Sequence, residues 1–156
     1  METSAVQKTD MSAIVDKVER AAWRIMGEAT IEGGMHWAPS ARAIGAVVKY
    51  IKRSEDTYRG NPIVESVIGS IRRTKGEPGD KVDFETLDAA EVMRAADEVA
   101  PMLEAEGERG AQTKAFLYGL AETMVSASGS GLMGMGQRVN EDEARFLADL
   151  KTHLRI

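Results

Sequence analysis

Gly129, Gly131 and Gly134 stand at G-x-G-x-x-G spacing, the spacing with which a backbone can close on a pyrophosphate. That fingerprint needs a strand before it and a helix opening directly from its last glycine. Here a helical sequence comes before it, and the next helix opens some residues later on Glu141, Asp142 and Glu143, which would repel phosphate. Nucleotide binding is not expected, and the glycines read as a turn that needs positive φ. Within that turn lie Leu132, Met133 and Met135, three apolar side chains that a turn does not require. They either tuck back onto the protein or are offered to a protein partner or a membrane surface, since Leu and Met adapt to many shapes. As thioether ligands for Cu(I), Met133 and Met135 have no Cys and no nearby His to help them.

A second cluster sits earlier. Glu28 and Glu32 are one helical turn apart and His36 follows shortly after, so three candidate metal ligands share one corner. A di-iron carboxylate bundle would need Glu-x-x-His pairs on facing helices. The residues three before His36 and His153 are Gly33 and Leu150, so that pattern is missing. His36 is better explained as a residue that caps or packs in the loop with Trp37. Catalytic signatures are absent: there is no G-x-S-x-G and no H-E-x-x-H, and Ser126, Ser128 and Ser130 have no general base nearby in sequence. No cofactor is expected, and an enzyme has no support in these residues.

The elements that would position these groups are all helical. Met11, Ile14, Val15, Val18, Ala22, Ile25, Met26 and Ala29 recur at three- and four-residue steps, predicting a helix over 11–32 with Asp10 as its cap and residues 1–9 as a flexible lead-in. Ser40 caps a second helix over 41–53, with Ile44, Val47, Val48 and Ile51 turned inward. Asn61-Pro62 is a strong start signal for a third over 62–73, burying Val64, Val67, Ile68 and Ile71. Asp83 caps a fourth over 84–99, after which Pro101 kinks or restarts the chain. A fifth over 112–126 carries Phe116, Leu117, Leu120 and Met124. The sixth, over 141–154, carries Phe146, Leu147, Leu150 and Leu154, with Asn140 and Glu143 in capping-box positions. No stretch alternates as a strand would. The expected fold is an all-α bundle of about six helices in a single domain, residues 10–156.

Composition sets limits on function. The 156 residues hold no cysteine, which removes disulfides and thiolate chemistry and suits a cytoplasmic protein. Apolar runs such as Ala43 to Val48 are far short of the ~20 residues of a membrane span. The net charge of −5 conceals a segregation. Residues 40–75 contain eight Lys/Arg against three Asp/Glu, and residues 76–110 contain three against eleven. Two solvated helix faces attracting each other across the bundle would account for this, as would a basic face for an anionic partner. The acidic block would repel phosphates, so nucleic acid is not an expected partner. The basic helices are also separated by too long a connection for a helix-turn-helix.

One resemblance adds to this. L-Y-G-L-A-E-T-M-V-S-A-S-G (117–129) and V-N-E-D-E-A-R-F-L (139–147) resemble the two helices of the repeating unit in TerB-like proteins, bacterial all-α domains associated with tellurite resistance and stress. The resemblance implies an all-α bundle with a role in metal-stress or membrane-associated complexes. The family's loop Asp is replaced by Ala127-Ser128-Gly129 and a Gly/Met-rich insertion, which removes its cation-binding carboxylate. The expectation is a non-catalytic, cytosolic adaptor of bacterial type that binds a protein partner or itself. Leu132, Met133 and Met135 would make the contact, and Arg72 and Arg73 would help orient an anionic surface. The alternative is a small-ligand or metal-binding bundle using Glu28, Glu32 and His36.

Overall fold

The computed structural model describes residues 2–32, 41–74, 87–128 and 141–156. These residues form six α-helices: α1 (Glu2–Glu32), α2 (Ala41–Thr57), α3 (Pro62–Arg73), α4 (Ala89–Glu104), α5 (Glu108–Ser128) and α6 (Glu141–Leu154). No strand occurs among them, so the all-α expectation holds.

The centre is built by α1 and α5. The first packs on α3, α4, α5 and α6, and the second on every other helix. Between Val18 and Ala29, α1 buries Ala21 and Trp23 in addition to the stripe residues Val18, Ala22, Ile25, Met26 and Ala29. A helix with neighbours on several sides needs apolar or small residues nearly all round, and Ala21-Ala22 provides the close approach. Its start also differs from expectation. The helix begins at Glu2, so Asp10 lies inside it and the segment read as a lead-in is helical.

Local signals explain the other boundaries. Asn61 Oδ1 accepts from the backbone N–H groups of Ile63 at 3.1 Å and Val64 at 3.3 Å, and Pro62 supplies the first helical position of α3 without an orphan donor. Both ends of α3 and α6 fall where the sequence placed them. The fourth helix does not. It is capped by Asp88, whose carboxylate accepts from Glu91 N at 2.8 Å, and not by Asp83. Asp88 has a Glu three residues on, the capping-box partner that Asp83 lacks. Phe84 lies outside the described residues. Pro101 sits in the last turn of α4, which runs on through it to Glu104. The stop follows at Gly107, the first residue of the G-E-R-G breaker, which takes φ 65°, a conformation open to glycine at little cost.

Two glycines set helix spacing. A Cβ on Gly110 would run into the backbone carbonyl of Leu103, so α5 leaves α4 at a distance only glycine allows. A Cβ on Gly119 would collide with the Tyr50 ring, which lies across α5 at that point.

Candidate functional site

The outer face of α2 stands apart from the rest of the surface. This helix packs on α5 and only thinly on α3. Its inward side is Val47, Tyr50, Ile51 and Ser54, and Tyr58 follows just beyond its end. Tyr50 is the anchor. Its hydroxyl donates to the Phe116 carbonyl at 2.8 Å, its ring stacks on Phe116 with centroids 5.7 Å apart, and Tyr58 meets the same ring edge-on. Burial pushes the Tyr50 phenol well above its ordinary pKa, with the neighbouring Tyr58 adding to the shift. The hydroxyl therefore stays protonated and serves as a structural donor.

With that side committed, Ile44 and Val48 turn outward, each 53% exposed. This corrects the expectation that both face inward. The sequence reading ended α2 at Arg53, whereas the helix continues to Thr57. The longer stripe through Ser54 and Tyr58 rotates the buried arc away from Ile44 and Val48. Gly45 lies beside them, and a Cβ there would have nothing within 4 Å.

Charge on this face is also unlike its surroundings. On the rest of the bundle most cations meet a carboxylate. Lys17 pairs with Glu98, Arg24 lies 3.9 Å from Glu91, Lys114 lies 3.4 Å from Glu104, and Arg155 lies 3.2 Å from the same Glu104. Among the described residues, Lys49, Lys52 and Arg53 have no such partner. Lys49 and Arg53 border an open groove of about 530 Å³ between α2 and α5, facing Glu122, Thr123 and Ser126. Among the described residues, no ion pair joins the two halves of this charge segregation. Among the described residues the α4 carboxylates meet cations of α1, α4 itself and α5, His153 of α6 and Arg155, whereas the ion pair between α2 and α3 is Glu55 with Arg72.

No protein-family model, curated protein or solved structure matches the chain.

Of the residues singled out from sequence, Arg72 and Arg73 are exposed at the end of α3. Arg72 is held by Glu55, while Arg73 has no carboxylate partner among the described residues. Leu132, Met133 and Met135 lie outside the described residues. Glu28 is buried, at 4% exposure, whereas the side chains of Glu32 and His36 are outside the described set. Among the described residues no group of three or more His, Asp or Glu is placed to hold a metal ion. Glu143, read as a capping residue, is fully buried on α6, a placement that helix capping at the surface would not require. No helix among the described residues is long and apolar enough to cross a membrane.

A second concave surface lies between α4 and α6. Ala89, Ala90, Met93 and Phe146 form its apolar part, with Asp142, Arg145 and Asp149 along one side, enclosing about 420 Å³. Arg145 is 3.5 Å from Asp142. Asp149 has no cation partner among the described residues.

Proposed function

We propose that this chain is a non-catalytic helical interaction module of the cytosol that docks a protein partner through the outer face of α2. One observation carries this reading: Ile44 and Val48 are exposed on one helix face with Lys52, and Lys49 and Arg53 flank that face toward the α5 groove, all three cations without a carboxylate partner among the described residues. Isolated exposed aliphatics are ordinary. Two of them one turn apart, beside lysines with no carboxylate partner among the described residues, suit a surface with an apolar centre and an acidic rim. The likeness of residues 117–129 and 139–147 to a TerB-like unit supports an adaptor role. Leu132, Met133 and Met135 join the reading from sequence as a second contact element.

Site-specific photocrosslinking in producing cells tests it. A photoreactive side chain at position 48 or 52 should give a discrete protein adduct, and one at the exposed Ala111 should not. Adding Ile44→Ser should abolish the adduct at position 52 while the purified protein keeps its thermal midpoint. Equal labelling at position 111, or an adduct indifferent to Ile44→Ser, rejects this docking face.

A further inference from the structure

From the charge and shape of the two surfaces we infer that the partner is a second copy of this chain: the α2 ridge of one copy seats in the α4–α6 groove of another. The inference rests on the α2 docking face proposed above and goes beyond it by naming the occupant. The ridge carries Ile44 and Val48 with Lys49 and Lys52 beside them. The groove offers an apolar floor of Ala89, Ala90 and Met93, with Asp149, Arg145 and Asp142 at its side, Arg145 lying 3.5 Å from Asp142. Apolar centre faces apolar floor, and lysines without a carboxylate partner face Asp149, which has no cation partner among the described residues. Gly45 brings the α2 backbone to the surface of the ridge, with nothing within 4 Å of where a Cβ would stand, so a partner can approach closely there.

The two surfaces cannot meet within one molecule. α2 rests on the Phe116, Gly119 and Thr123 side of α5. α6 rests on α4, α1 and α5, where Lys151 lies 5.8 Å from the Tyr118 ring centroid. Ridge-to-groove pairing either is exchanged reciprocally about a twofold axis, using both ridges and both grooves, or is head-to-tail, leaving a free ridge on one copy and a free groove on the other. Such a heterologous contact builds a closed ring when the rotation closes and a longer array when it does not.

Sedimentation velocity over a concentration series at low salt tests the assignment. The wild-type chain should show concentration-dependent association beyond the monomer. Lys49→Glu/Lys52→Glu on the ridge, and separately Ala90→Lys/Asp149→Lys in the groove, should each weaken it on the order of tenfold or more, because like charges then face each other. All four positions are exposed, and an unchanged far-UV circular dichroism signal shows that the fold survives. Mixing the two variants should restore association, since each supplies the surface the other lacks and the reversed faces also match. A wild-type chain that stays monomeric throughout, or a mixture that fails to associate, overturns the self-pairing. If adducts at positions 48 and 52 persist in a monomeric chain, the docking face stands and only its occupant is wrong. If those adducts are absent as well, both readings fall.

Discussion

At the scale of single residues, three glycines inside helices carry opposite expectations. Helix propensity alone charges each about 1 kcal/mol relative to Ala. Gly45 has open space where a Cβ would stand, so Gly45→Ala should stabilise the monomer by about 0.5–1 kcal/mol, read as a shift in the urea midpoint at constant slope. Gly119→Ala should do the reverse. Its Cβ meets the Tyr50 ring, and overpacking of this kind costs about 1–3 kcal/mol. Tyr50→Leu in the same chain should recover part of that loss, and a double-mutant cycle with no coupling would contradict the contact. Gly110→Ala should be worse than either, because the obstacle is the Leu103 backbone and a main chain cannot rotate aside. The sequence reads Gly45 and Gly119 alike as helical glycines and places Gly110 ahead of the fifth helix, whereas all three lie inside helices, and only the neighbouring helix decides whether each is wasted or required.

Among the elements, those bounded by strong local chemistry were legible and those bounded by tertiary contacts were not. α3 begins at Asn61-Pro62 and α6 at an acidic first turn, and both ends of each follow from the sequence. α2 ran past its expected stop because Tyr50 and Tyr58 pack on Phe116, a contact between residues far apart in the chain that no local signal announces. Asn61 shows how much one cap can hold. Besides capping α3, its Nδ2 donates to the Arg109 carbonyl at 2.9 Å and to Gln112 Oε1 at 3.1 Å, tying the start of α3 to the start of α5 in a site only 2% exposed. Asn61→Ala should cost at least the ~1–2 kcal/mol of a lost cap, with more added by the buried groups left without a donor. Asn61→Asp keeps the cap but turns a carboxylate oxygen toward the Arg109 carbonyl and Gln112, so it should not rescue stability. An Asp variant as stable as wild type would show that the links to α5 contribute little. The segment joining α5 to α6 calls for a different measurement. Replacing Leu132, Met133 and Met135 together with Ser should leave the thermal midpoint nearly unchanged while weakening partner adducts. A collapse in stability would place these side chains in the core.

For the whole molecule, the sequence showed that charge is segregated but not which charges meet. A mutual attraction between the basic and acidic blocks was one expectation. Among the described residues the α4 acids are engaged by α1, α5 and the chain end, and Lys49, Lys52 and Arg53 of α2 have no carboxylate partner. That remainder is what made the candidate surface visible, and it was illegible because neutralisation depends on which helices pack together. Fold and surface should therefore respond differently to salt. The core is held by apolar burial in α1, α3, α4, α5 and α6, and the ion pairs across the surface are mostly exposed, each worth about 0–1 kcal/mol. Raising salt from about 0.1 M to 1 M shortens the screening length from roughly 10 Å to 3 Å. Unfolding free energy should then move by about 1 kcal/mol or less. Association through Lys49 and Lys52 should fall steeply over the same range, because the lysines and the groove carboxylates attract across a solvated rim. Sedimentation and urea unfolding measured on the same samples check both halves. Association that survives high salt would point to an interface held by Ile44, Val48 and Met93 alone, and a fold that melts with it would mean that chain pairing and folding are one transition.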